Sequence, residues 1–323
     1  MIQKAETPIV TLTLAPSLDS ATVTPKIYPE GKLRCTAPVF EPGGGGINVA
    51  RAIVHLGGKA TALFPVGGPT GAHLAELLEE EGITTDTLET LDWTRQNLHV
   101  HTENTGEQYR FVMPGAKLTA GEFSALSSKV TQLAAGSILV VSGSLPPGTE
   151  VDALTELLHK AQRARLHCIL DSSGDALAAG LKLGGLALVK PNQNELAQLV
   201  GHPLEKPDDV LNAARQIIRE GGAKRVVVSL GPQGALAVDA ERWFQVTPPP
   251  VKKMSTVGAG DSMVGAMTLK LAAGADLLDI VRYGVAAGSA ATLNIGTRLC
   301  SHTDTHGIYD YLCQQSPAHS SVN

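Results

Sequence analysis

The chain has 323 residues, with 26 Lys and Arg against 31 Asp and Glu. The formal charge of −5 lacks the basic excess that neutralises nucleic-acid phosphates. Hydrophobic residues make up 43% and charged residues 18%, which supplies a large core and excludes a globally disordered chain. Glycine is the outlier at 34 residues, about a tenth of the chain; its clustering, with no strict three-residue period, excludes a collagen-like polymer.

In chain order, short apolar runs read as strands at residues 9–14, 60–65, 137–142, 167–171, 187–190 and 225–230. Amphipathic helices are expected at 48–56, 73–81, 122–133, 151–163 and 210–220. Alternating strands and helices predict an α/β fold with a parallel sheet covered on both faces. Two segments, 32–40 and 97–113, read as strands with no helix between partners, and Asn104-Thr105-Gly106 marks a hairpin turn. They predict a small β-sheet lid at one edge. Residues 235–238 and 243–246 read as further strands, stopped by Pro248-Pro249-Pro250. The rest reads as helices at 261–273, 276–293 and 304–313, and the tail 316–323 as polar and frayed.

No apolar run reaches the roughly 18 residues of a membrane span, and the N-terminus has no apolar signal core. Cys35, Cys168, Cys300 and Cys313 show no C-x-x-C spacing and read as reduced thiols. The expectation is a cytoplasmic protein with neither membrane nor nucleic acid as partner.

Three glycine clusters stand at predicted element ends. Gly43-Gly44-Gly45-Gly46 runs into a helix with Asn48 in its first turn. Such a segment lets amides approach a hydroxylated or phosphorylated ligand, or is a flexible loop. Gly258-Ala259-Gly260-Asp261 opens another helix. Asp261 is there either a helix cap or a general base for a hydroxyl, with amides around a transferring phosphoryl group. Ser229, Gly231 and Gly234 form a turn after a strand, fit for nucleotide phosphates or ribose, or a plain tight turn. No G-x-x-x-x-G-K-[ST] or G-x-G-x-x-G motif occurs, which excludes a P-loop enzyme and weakens dinucleotide-binding and protein-kinase readings. His302 and His306, four apart, lack the glutamate of a zinc-protease motif and read as surface residues.

Residues 43–51 and 257–265 resemble the two signatures of the ribokinase-type sugar kinases, the phosphofructokinase B family, and the likeness runs from about Thr11 to Leu312. The resemblance implies one Rossmann-like α/β/α domain over residues 1–323. It also implies a small β lid, at about 32–40 and 97–113, that clasps a homodimer. It implies ATP-dependent phosphorylation of the C1 hydroxyl of fructose 6-phosphate. Tagatose 6-phosphate, fructose 1-phosphate and a catalytically silent sugar-phosphate-binding protein are the alternatives. Kinases for those two sugars commonly carry G-G-K-G-I-N, where this chain has three glycines.

By the same resemblance Asp261 is the catalytic base, with Gly258, Ala259 and Gly260 around the phosphoryl group. Asp19, Gly43, Gly44, Gly45, Gly46, Asn48 and Ser144 hold the sugar. Arg95, and Lys32 from the lid, face its phosphate. Lys190, Asn192, Ser229, Gly231, Gly234 and Ser289 face ATP. Asn192 and Glu195 match an N-x-x-E motif, with Glu195 on a Mg²⁺-bound water and Asn192 alternatively a plain helix cap. A K⁺ site is implied at Ser255, Val257, Ala291, Asn294, Gly296 and Arg298.

Overall fold

A computed structural model describes residues 7–251, 254–294, 298–315 and 318–321. Its strands are β1 (Ile9–Leu12), β2 (Ser17–Thr24), β3 (Val39–Gly43), β4 (Thr61–Val66), β5 (Thr84–Glu89), β6 (Arg95–Thr102) and β7 (Gln108–Phe111). They continue with β8 (Ile138–Ser142), β9 (His167–Asp171), β10 (Leu188–Val189), β11 (Val226–Ser229), β12 (Ala235–Val238), β13 (Arg242–Val246) and β14 (Ala318–Ser321). The helices are α1 (Gly45–His55), α2 (Gly68–Glu80), α3 (Ala120–Thr131), α4 (Val151–Arg163), α5 (Gly174–Leu183), α6 (Gln193–Val200), α7 (Pro207–Arg219), α8 (Ala259–Ala272), α9 (Leu277–Thr292) and α10 (His302–Gln314).

The large sheet runs β14-β13-β12-β11-β10-β9-β8-β1-β4-β5. From β11 to β5 all neighbours pair in parallel, and β12, β13 and β14 close the other edge antiparallel. Two cores follow from the strand period of two. Ile9, Ile138, Val140 and Ile169 face α1, α8 and α9, while Val10, Leu12, Leu139, Val141 and Leu170 face α3, α4 and α7. A Cβ on Gly265 would lie 3.0 Å from Ala52 Cβ and 3.1 Å from the Val49 carbonyl oxygen. Helices α1 and α8 therefore pack as close as glycine allows, which brings their N-termini to the same end of the sheet.

The second sheet, β3-β2-β6-β7, has an antiparallel, a parallel and an antiparallel pairing in turn. It differs from the expected lid in two ways. Residues 32–38 form no strand, and pairing begins at Val39. A strand at Ser17–Thr24, not expected from sequence, forms its centre. The alternating Leu18, Ser20, Thr22 and Thr24 are buried, but three of the four are small polar residues that carry little hydrophobic signal. At the other end of the chain, the expected frayed tail is corrected for residues 318–321, which pair with 242–245.

Candidate active site

Parallel strands leave their carboxyl ends on one side of the sheet, where ligands of open α/β folds bind. Here β8 ends at Ser142 and β9 at Asp171, and Lys190 follows β10. Ser142 Oγ donates to Asp171 Oδ2 at 3.1 Å, and Lys190 Nζ pairs with Asp171 Oδ1 at 3.2 Å. Lys190 Nζ would stand 3.5 Å from a Cβ on Gly260, so the ammonium lies against the first turn of α8. Asp261, in that same turn, accepts a 2.8 Å hydrogen bond on Oδ2 from Asn48 Nδ2 of α1. Helix α1 returns to the start of this circuit, because a Cβ on Gly45 would be 2.4 Å from Ser142 Oγ.

The electrostatics are those of half-buried carboxylates around one buried cation. Burial pushes the Asp261 carboxyl up to about 7; the Asp171 charge adds to this, while the Asn48 hydrogen bond and Lys190 oppose it. Lys190 is buried, which pulls its ammonium down, but Asp171, Glu195 and Asp261 together hold it above the usual lysine value. The N-cap residues of α1 and α8 are glycines with no side chain to cap the helix, though Thr13 Oγ1 accepts from the Ile47 amide of α1 at 2.8 Å, and α8 starts from Gly258 in the left-handed region at φ 71°. Uncapped helix N-termini present amides and a partial positive charge to an anion.

Asp19 lies in the second sheet, in β2 opposite Asn97 of β6. Its Oδ1 accepts from Ser17 Oγ at 2.7 Å and from Asn97 Nδ2 at 2.8 Å. A Cβ on Gly43 would meet Asp19 Oδ2 at 2.5 Å, so this carboxylate hangs directly over the glycine segment. Arg95 lies on the same strand as Asn97, with Nη1 on the Met113 carbonyl and Nη2 on the Ala15 carbonyl, both at 3.0 Å. Its buried Nε has no partner among the described residues. Lys32 is exposed on the loop between β2 and β3, and Ser144 is exposed on the loop after β8. Neither is joined to the circuit by a hydrogen bond among those described.

The tetraglycine is not an open cradle on all sides. Cβ atoms on Gly44, Gly45 and Gly46 would collide with Thr13 Cγ2, Ser142 Oγ and Thr13 Oγ1 at 2.7, 2.4 and 2.6 Å. The missing side chains are needed for packing against the strand ends, and the amides are what remains for a ligand.

On the neighbouring strand ends, Asn192 caps α6. Its Oδ1 accepts from Glu195 N at 2.9 Å, and Glu195 Oε2 accepts from Asn192 N at 2.8 Å, a reciprocal capping box. Asn192 also bridges to Ser229, which precedes the turn at Gly231 and Gly234. Gly231 has open space around a would-be Cβ, whereas one on Gly234 would strike the Val246 carbonyl. Ser289 on α9 is buried next to Gly288, whose would-be Cβ lies 3.3 Å from the Ala259 carbonyl oxygen at the start of α8.

Behind α8, the backbone amides of Met254 and Ser255 both donate to the Thr292 carbonyl, at 2.8 and 3.3 Å. Asn294 N donates to Ala291 O, and Asn294 Nδ2 to Leu299 O. The segments carrying Ser255, Val257, Ala291, Asn294 and Arg298 are thus neighbours, while Gly296 lies outside the described residues. Asp171, Ser142, Asn97 and Arg51 of this site were not singled out from sequence. Asp171 could have been, as a carboxylate ending a strand apolar on both faces.

An α/β/α sandwich with a buried lysine and a half-buried carboxyl at the start of a helix has the parts that a phosphotransferase needs. The chain matches the pfkB family carbohydrate kinase model over residues 12–304, and it belongs to that family. It is 67% identical, over 94% of its length and 98% of the relative's, to the ATP-dependent 6-phosphofructokinase isozyme 2 of Escherichia coli (strain K12). The crystal structure of phosphofructokinase-2 from Escherichia coli in complex with potassium superposes with a TM-score of 0.94 at 66% identity, covering 95% of this chain and all of that one. The structure of the Escherichia coli enzyme in complex with fructose-6-phosphate superposes at 0.92 with 65% identity and the same coverage.

Proposed function

We infer that this chain is an ATP-dependent 6-phosphofructokinase, which moves the γ-phosphoryl group of ATP to the C1 hydroxyl of fructose 6-phosphate. The observation that carries this is the 67% identity to the Escherichia coli isozyme, together with the Asp261 carboxyl held by Asn48 at the start of α8. Asp261 accepts the C1 hydroxyl proton as the new P–O bond forms. The amides of Gly258, Ala259 and Gly260 face the equatorial phosphoryl oxygens, and Lys190 adds a fixed positive charge beside them. Asp19, positioned by Ser17 and Asn97, accepts from sugar hydroxyls, while the amides of the 43–46 segment, Asn48 and Ser144 close around the ring. Arg95 and Lys32 face the 6-phosphate. Ser229, Gly231, Gly234 and Ser289 line the nucleotide side.

No group of three His, Cys, Asp or Glu side chains among the described residues could cage a metal. That suits Mg²⁺, which keeps several waters and shares its shell with phosphates. Glu195 and Asn192 would hold it: Glu195 uses Oε2 for the capping box and keeps Oε1 for a metal-bound water. When bound, Mg²⁺ neutralises charge on the transferring phosphates. K⁺ would sit among the backbone carbonyls of 254–257 and 291–294, near Arg298 and behind the anion-binding turn.

The whole chain acts as one kinase unit in the cytoplasm, and it pairs with a second copy through the small sheet. The support is apolar exposure on that sheet and the stretch that follows it: Val39, Tyr109, Phe111, Val112 and Met113 are all open to solvent. No helix among the described residues is long and apolar enough to cross a membrane.

Coupled ADP release with fructose 6-phosphate, tagatose 6-phosphate, fructose 1-phosphate and ribose tests the substrate. Fructose 6-phosphate is expected to give the highest kcat/KM. No ADP above background on any of the four overturns the assignment.

A further inference from the structure

We propose that Arg51 and Glu81 are positioning residues for the transfer step, locking the Asn48 carboxamide so that it always donates to Asp261. This rests on Asp261 being the base. Arg51 is only 5% exposed, one helical turn along α1 from Asn48. Its Nε and Nη2 grip both oxygens of Glu81 at 2.7 and 2.8 Å, a bidentate pair that fixes the guanidinium plane. The remaining nitrogen, Nη1, donates to the Pro42 carbonyl at 3.1 Å and to Asn48 Oδ1 at 3.4 Å. Asn48 Nδ2 then reaches Asp261 Oδ2 at 2.8 Å. Four side chains form one line: Glu81, Arg51, Asn48, Asp261.

The direction of the amide matters because Asp261 changes character during turnover. As a carboxylate it only accepts; after taking the hydroxyl proton it can also donate. An unrestrained asparagine would flip its nearly symmetric amide, accept from the protonated acid and hold the proton there. Arg51 carries donors only, so the end facing it must be Oδ1. The NH₂ end is left on Asp261, where it favours the ionised form and readies the base for the next cycle. Lys190 and Asp171 face Asp261 from the β10 and β9 ends, and neither touches the amide. Glu81 can serve as the anchor because it stays ionised. Burial pushes it up, but hydrogen bonds from His55 and Arg51 carry it down to about 2. The same Nη1 holds the carbonyl preceding Gly43, so the sugar-facing segment and the base are aligned by one guanidinium.

A purely structural ion pair joining α1 to the end of α2 would behave differently in a double-mutant cycle on kcat. Arg51→Met is expected to lower kcat about 10- to 100-fold in the native background, the worth of one charged hydrogen bond, with KM for ATP within about twofold. In an Asn48→Ala background the same change is expected to add less than about twofold, because the residue it acts through is gone. Equal losses in both backgrounds overturn the proposal. Should Arg51→Met not fold, Glu81→Gln carries the same cycle, with a loss of about fivefold that disappears in Asn48→Ala. Asp261→Asn separates the two readings. Retained turnover there removes the base itself, whereas an inactive Asp261→Asn beside additive Arg51 effects refutes only the positioning role.

Discussion

Gly46→Ala separates packing from ligand binding in the tetraglycine. A Cβ there would lie 2.6 Å from Thr13 Oγ1, 2.7 Å from the Leu12 carbonyl oxygen and 2.9 Å from the Leu12 carbonyl carbon. Leu12 ends β1, which is clamped between β4 and β8, so the strand cannot yield and α1 must move. That shift strains the contact and loosens the 2.8 Å bond from the Ile47 amide to Thr13 Oγ1. Overpacking costs about 1–3 kcal/mol and the hydrogen bond about 1, giving about 2–4 kcal/mol in all. The unfolding entropy of a chain this long is about 0.7 kcal/mol/K, so Tm should fall by about 3–6 °C. Gly231→Ala is the comparator, because its φ is +58° but nothing lies within 4 Å of the added methyl. Left-handed strain alone costs about 1 kcal/mol there, or about 1–2 °C. Thermal melts followed by circular dichroism measure both, and sugar-phosphate KM should rise for Gly46→Ala as the α1 amides shift. A Gly46→Ala melting point equal to that of Gly231→Ala, or within about 1 °C of the native protein, refutes the reasoning.

Three further outcomes follow from the charges. Burial pushes the Asp261 carboxyl up to about 7, and the base role proposed for it needs the ionised form, so kcat/KM should climb with pH through about 7 and level off above it; a flat profile from pH 5.5 to 8.5 would remove Asp261 as the base. Its raised value has the opposite sign for stability: the group favours the fold at low pH, and that contribution fades as pH rises from about 4 to 7. Glu195→Gln keeps an oxygen for the Asn192 amide but loses the charge, so Tm should hardly move while the Mg²⁺ concentration for half-maximal rate rises at least about tenfold. An unchanged Mg²⁺ requirement would leave Glu195 as a cap alone.

The α/β alternation was legible because strands such as Ile138–Ser142 and His167–Asp171 are buried on both faces and so read as unbroken apolar runs. The second sheet was legible only in part. Ser17–Thr24 is a buried strand of mostly small polar residues, so no hydrophobic period betrays it. Residues 32–38 carry the opposite error, since Leu33, Cys35 and Thr36 look strand-like but lie on a connecting loop, Leu33 half-buried and the other two exposed.

Single residues of the site were visible from local signals, a glycine before a helix or a carboxylate in its first turn. The pairings between them were not, because nothing local joins Asn48 to Asp261 across 213 positions, or Arg51 to Glu81 across 30. This division has a physical cause. A reacting group needs a particular backbone setting, and backbone settings leave marks in the adjacent sequence. The group that orients it needs only to arrive at the right distance from any direction, so its sequence position is set by topology. Here α1 supplies both kinds: Gly44–Gly46 are marked by the turn they make, while Arg51 looks like any arginine on an amphipathic helix until α2 returns Glu81 to its side.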